Sequence, residues 1–148
     1  MLTLPAALLD ALLAHAAAES PRECCGVLGG VNGVVTHALP VENELASPTA
    51  FRTAPRAMLA ADRALREAGV ELLAVYHSNP TSAAVPSVTD RRENPHGEAV
   101  LCVIAGTDGV RAWRLHATDA TEVPIRVTEP RPIRKVPTPP DTRNPTPG

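Results

Sequence analysis

The sequence has 148 residues, 44% of them hydrophobic but only 2% aromatic, with a net charge of −2. That length suggests one domain with an aliphatic core of Leu, Val, Ile and Ala. The near-neutral charge gives no electrostatic footprint for nucleic acid or an anionic membrane as partner.

Three cysteines, Cys24, Cys25 and Cys102, are odd in number, and two are adjacent. With no C-x-x-C pair they suggest neither a disulfide framework nor a Cys-based zinc site, and buried free thiols in a reducing cytoplasm are expected.

The chain opens on an apolar run, "MLTLPAALLDALLAHAAA", broken by Asp10 and His15 and without Lys or Arg before Arg22. It lacks the basic flank of a signal peptide and the length of a membrane span, so it reads as a core-facing amphipathic helix. Thr3 and Pro5 are expected to open that helix, and Leu8, Leu9, Leu12, Leu13 and Ala16 recur at helical spacing. It should stop near Ser20-Pro21. Two β-rich runs then flank Asn32-Gly33, a pair suited to a tight hairpin turn. A polar connector, "ENELASPTAFRTA", leads to a second helix from Pro55, with Met58, Ala61, Leu65 and Ala68 on one face and Gly69 at its end. Residues 70–77 predict a short buried strand.

After the loop that follows, Ser87 reads as an N-cap with Asp90 in the first turn of a short helix. "EAVLCVIA" and "VRAWRLH" predict strands joined by a hairpin at "GTDG". "TEVPIRVT" is expected as a last edge strand, because Pro124 suits no central one. The domain is expected over 1–128. From 129 to 148 proline dominates and apolar periodicity is gone, which predicts a flexible tail. The element order predicts a single α/β domain, a layered α-β-α fold around a mixed, curved sheet.

Residues 77–90 read "HSNPTSAAVPSVTD". A hydrolytic zinc site needs about three protein ligands with one open position, a base for the water's proton and a donor for the oxyanion. His77 ends a buried strand, Asp90 begins a helix, Ser87 sits three residues earlier, and Pro80 and Pro86 stiffen the loop. Taken singly, a His at a strand end is more often structural, and a Ser three before an Asp is more often a cap. Their combination at these offsets points to a site.

The segment resembles the signature of the JAMM (MPN-type) zinc metallopeptidases. That signature is His-Ser-His-Pro, a Ser eight residues after the second His, and an Asp three further on. Here it reads His77-Ser78-Asn79-Pro80, Ser87 and Asp90. Upstream, Pro21-Arg22-Glu23-Cys24-Cys25-Gly26 resembles the family's P-x-E-x-C-G stretch, and the resemblance covers roughly residues 5–116. It implies a cytidine-deaminase-like JAMM/MPN fold, with His77 and Asp90 on zinc-ligand positions. It also implies Glu23 as the general base and Ser87 as the group stabilising the oxyanion. On residue type alone, Glu23 would be a solvated carboxylate before a strand. The implied activity is Zn2+-assisted hydrolysis of an amide bond at the C-terminal tail of a ubiquitin-like or sulfur-carrier protein in the cytoplasm.

Position 79 departs from that pattern, since Asn has no ring nitrogen and its amide oxygen is a poor zinc ligand. Three accounts stay open. Asn79 is a substitution introduced to disable the site. Alternatively, metal still binds with the Asn79 carbonyl, a water, or another side chain such as His96 or His37 filling the gap. In the third account the domain binds a ubiquitin-like tail without cutting it. The motifs of zinc deaminases and of helical H-E-x-x-H proteases are absent.

Overall fold

The computed structural model describes residues 1–129. The proline-rich segment therefore lies, apart from Glu129, outside the described residues. The first helix starts later than its sequence suggests. Leu2–Pro5 forms strand β1, and helix α1 occupies Ala6–Glu19 with Pro5 at its N-cap and no capping side chain. Thr3 is thus a strand residue and not a cap. The alternation of buried Leu2 and Leu4 decides the matter, because it fits a strand and leaves Thr3 free to pair. On α1, Leu12 is fully buried while Leu13 is 44% exposed, so the core-facing stripe is Leu8, Leu9, Leu12 and Ala16.

Strands β2 (Cys25–Val31) and β3 (Val34–Val41) form the expected hairpin. Asn32 and Gly33 both take positive φ, 54° and 76°, as a two-residue primed turn requires. Helix α2 (Pro55–Glu67) buries Ala61 and Leu65 and packs Met58 beside them. Gly69, at φ 75°, lets the chain reverse into β4 (Glu71–Ser78). Ser87 caps the short helix α3 (Val88–Arg92). After a 3₁₀ turn at Gly97–Ala99, β5 (Leu101–Gly106) and β6 (Gly109–Leu115) form the second hairpin.

The expected last edge strand is in fact two strands. Pro124 divides β7 (Ala120–Val123) from β8 (Ile125–Thr128). The strand order is β7-β6-β5-β4-β2-β3-β1-β8, so these neighbours in sequence lie at opposite edges of one mixed sheet. Only a sheet curled almost into a barrel brings its edges to either side of one proline. The Pro124 carbonyl accepts the Leu2 N–H at 2.9 Å at that seam.

The two faces of the sheet carry separate cores. Leu28, Tyr76 and Val103 pack with Leu12 of α1, together with residues from the other strands. Val27, Val41 and Val75 pack with Ala61 and Leu65 of α2 on the other side. This is the expected α-β-α layering, with α1 and α2 on separate cores. No helix of the described residues is long and apolar enough to cross a membrane.

Candidate metal centre and its cleft

The C-terminal end of β4 meets the start of β2 in antiparallel register, His77 opposite Cys25. This pairing seats Glu23, two residues before β2, beside His77. Ser78 reinforces it: its N–H donates to the Cys24 carbonyl at 3.1 Å, and its Oγ accepts the Cys24 N–H at 2.9 Å. The polar connector then clamps Glu23 from the other side. The Glu23 N–H donates to Ser47 O at 2.7 Å, and Asn43 Nδ2 donates to Glu23 O at 3.0 Å. Glu23 is only 6% exposed, so it is not the solvated carboxylate that its residue type alone suggests.

His77 is 2% exposed, and neither ring nitrogen has a hydrogen-bond partner. Its Nδ1 lies 3.7 Å from Glu23 Oε1, and its Nε2 lies 3.5 Å from Asp90 Oδ2. Phe51, from the connector, stacks on the ring with centroids 4.5 Å apart and planes inclined by 24°. Asp90 is fixed by a capping box. Its Oδ2 accepts the Ser87 N–H at 2.8 Å, and its own N–H donates to Ser87 Oγ at 3.0 Å. The Ser87 hydroxyl proton remains free to donate elsewhere.

These groups titrate as one cluster. Burial raises Glu23 to about 7, with His77 opposing the rise and Asp90 adding to it. Burial alone would lower His77, but the Asp90 carboxylate and the Cys102 thiol outweigh it and carry the imidazole to about 10. Burial also works to raise Asp90, and contact with His77 plus the Ser87 hydrogen bonds hold it below the usual carboxylate range.

Two hollows share Asp90, Phe51, Thr89 and Glu93 as a common wall. One, of about 400 Å³, gathers Glu23, Asn79, Ser87 and Asp90. The other, of about 170 Å³, is lined by His77, Asp90, His96, Cys102 and Leu115. Of the side chains suggested as replacements at position 79, His96 thus shares a hollow with His77. His37 does not approach: it pairs with Gly29, four residues along β2 from Cys25 and so about 13 Å away along the strand. Asn79 itself is turned to the loop. Its Nδ2 donates to Ala83 O at 2.9 Å and, more loosely, to Val85 O at 3.5 Å.

A buried imidazole with two orphaned nitrogens is costly unless something binds it. Two donors about 2.0–2.1 Å from one tetrahedral ion stand roughly 3.3 Å apart. The 3.5 Å between His77 Nε2 and Asp90 Oδ2 matches that spacing. The pair therefore fits a divalent cation. No three His, Cys, Asp or Glu side chains are already gathered around such a point among the described residues, so the third donor is missing.

Phe51, Asn43 and Cys102 were not legible as neighbours of the cleft, and Ser78 entered only as part of the quoted His77-Ser78-Asn79-Pro80 stretch. Asn43 offered one signal, an Asn in a polar turn-rich stretch; it anchors the connector by accepting the Leu45 and Arg52 N–H groups.

Among proteins of known kind, a probable TtuB-protein conjugate cleaving protease of Thermus thermophilus is 41% identical over 116 residues, 78% of this chain and 76% of that protein. The CysO-cysteine peptidase of Mycobacterium tuberculosis is 31% identical over 135 residues, 87% of this chain and 92% of that one. A solution structure of a Desulfitobacterium hafniense protein superposes with a TM-score of 0.80 at 28% identity, covering 88% of this chain and 94% of that one. A JAB1/MPN domain protein from Archaeoglobus fulgidus shares the fold, with a TM-score of 0.58 at 17% identity over 87% of this chain and 98% of its own. The family described as prokaryotic homologs of the JAB domain matches residues 5–116, and with most of its length so matched this chain belongs to that family.

Proposed function

We propose that this domain, residues 1–128, is a zinc metallopeptidase of the cytoplasm. It hydrolyses an amide bond at the C-terminal tail of a ubiquitin-like or sulfur-carrier protein. The observation that carries the reading is the buried, unpartnered His77 imidazole between two carboxylates. Substrates named for two relatives, a TtuB conjugate and CysO-cysteine, indicate the substrate class.

His77 and Asp90 would hold the cation, which when bound supplies acidity to a water and polarises the scissile carbonyl. Glu23, with a pKa near 7, is poised to accept the proton of the attacking water and pass it to the leaving amine. Its backbone is clamped at both N–H and C=O, so the carboxylate is aimed without the substrate's help. The Ser87 hydroxyl, whose oxygen is oriented by the Asp90 N–H, donates to the oxygen that gains charge as the carbonyl is attacked. Phe51 covers one face of His77 and excludes water from it. The larger hollow, lined on one side by residues 79–82, would accommodate an extended tail whose terminal glycines have no side chains to obstruct entry.

The test is cleavage of a ubiquitin-fold carrier extended beyond its Gly-Gly terminus, followed by mass spectrometry with zinc present. Cleavage directly after Gly-Gly is expected, with a loss of about 100-fold or more in Glu23→Gln and unchanged carrier binding. Equal cleavage by Glu23→Gln would refute the assignment of the base.

Asn79 favours a second reading, because its amide is committed to the loop and brings no imidazole. In that reading the domain binds the tail without cutting it. Binding is then indifferent to chelator, and no cleavage appears in the wild type with zinc present.

A further inference from the structure

We infer that the smaller hollow is the seat of the leaving residue: it takes the side chain of the amino acid joined to the last glycine of the carrier tail, and it selects an uncharged hydrocarbon one. The inference rests on the metallopeptidase reading above and names the amine half of its substrate. The placement follows from which residues border which hollow. Glu23, Asn79 and Ser87 line the larger and not the smaller, His77 lines the smaller and not the larger, and Asp90 lines both. A carbonyl attacked beside Asp90, within reach of Glu23 and Ser87, has the tail behind it in the larger hollow. The C–N bond that breaks then points across Asp90 into the smaller one. Hydrolysis forms a C–O bond from water and frees the amine with the proton that Glu23 passes on, so the hollow has only to hold the leaving residue.

The chemistry of the hollow sets what it holds. Cys102 pairs with Val75 on one side and Trp113 on the other, and Leu115 lies two residues beyond Trp113 on the same face of the sheet. Val75, Cys102 and Leu115, on three adjacent strands, thus give it an apolar floor, and Val100 and Pro95 add to the apolar lining. Leu115 and Cys102 are only 6% and 7% exposed. Of the charged residues that share the lining with Asp90, Arg52 is 63% exposed and paired with Glu44 at 3.2 Å, and Glu93 is exposed. An apolar cavity of about 150 Å³ admits a benzene-sized guest. A hollow of about 170 Å³ therefore accepts a leucine, methionine or phenylalanine side chain. Glycine would leave it unfilled, and aspartate would bury a charge in it.

Carriers ending in Gly-Gly-X, with Gly, Leu or Asp at X, test this by kcat/KM with zinc present and by calorimetric binding to Glu23→Gln. Leu is expected to exceed Gly by about tenfold or more in both measurements, since even one methylene in an apolar pocket is worth about tenfold or more, and Asp should fall below Gly. Val100→Phe, which fills the hollow, should bring the Leu-to-Gly ratio towards one; a ratio within one preparation is insensitive to loss of folded protein. Equal cleavage of the Gly and Leu carriers by the wild type overturns the inference and leaves the metallopeptidase reading intact. Faster cleavage of a lysine side-chain linkage than of every linear carrier overturns it as well. If Glu23→Gln binds the Leu carrier more tightly than the Gly carrier but the wild type cuts neither, the hollow's preference stands and the metallopeptidase reading fails. If the carriers are neither bound nor cut, both fail.

Discussion

His15 of α1 and Tyr76 of β4 form a polar contact. His15 Nδ1 lies 2.7 Å from the Tyr76 hydroxyl, and the rings meet edge to face at 5.8 Å. Burial lowers the His15 pKa below its ordinary 6.5, with Glu19 one helical turn on pulling the other way. A histidine with a depressed folded pKa is protonated first in the unfolded chain, so stability rises with pH across that interval. Its contribution is complete above about pH 6.5 and is lost as pH falls through the lower folded value. Glu23 and His77 titrate as well, so the comparison must be a difference. The fall in Tm between pH 7.5 and 5 should be smaller in His15→Gln than in the wild type, as measured by thermal denaturation. An equal fall in both proteins contradicts the assignment. The same tyrosine explains Gly26, because a Cβ there would run into the Tyr76 ring.

At the level of elements, the loop from His77 to Asp90 is held at both ends and in the middle. Asn79 N–H donates to Ala105 O at 2.8 Å, Thr107 N–H to Ser82 O at 2.8 Å, and Ala84 N–H to Asp108 Oδ1 at 2.7 Å. The β5–β6 hairpin thus forms the bed on which the loop rests. Ser87 caps α3, and the chemical role proposed for it separates from the cap by measurement. Ser87→Ala removes the N-cap at a cost of about 0.5–2 kcal/mol, a Tm loss of roughly 2–4 °C per kcal/mol in a domain of this size. Cleavage should fall by about 100-fold or more, as for other oxyanion donors, which is much more than that stability loss explains. A drop in Tm with full activity would leave Ser87 as a cap alone.

The Ser87–Asp90 box was legible because capping is local and its offset of three is set by one helical turn. The Asn32-Gly33 turn and the end of α2 at Gly69 were legible for the same reason. Glu23 was recognised only through its flank, since the groups that clamp its backbone, Asn43 and Ser47, lie twenty or more residues away in the chain. Cys102 and Phe51 could not be placed at all: one reaches His77 through the register of β4 on β5, the other through the path of a connector. Thr3 was misread as a cap because a four-residue strand and a helix start look alike until a partner strand is known.

Across the whole molecule, the curled sheet explains why the site lies where it does. One face is covered by α1 and the larger core, the other by α2 and its smaller core. The end of β4, flanked by β2 and β5 at the centre of the strand order, is where connector, site loop and β5 come together. Pro124 separates β7 from β8 and so allows one run of residues to finish both edges of the sheet, an arrangement that local sequence pattern does not encode. The most direct measurement is anomalous diffraction at the zinc edge from crystals grown with zinc. A single strong peak is expected between His77 Nε2 and Asp90 Oδ2, about 2.0–2.2 Å from each. A peak elsewhere, or none in that gap at full zinc loading, would contradict the account.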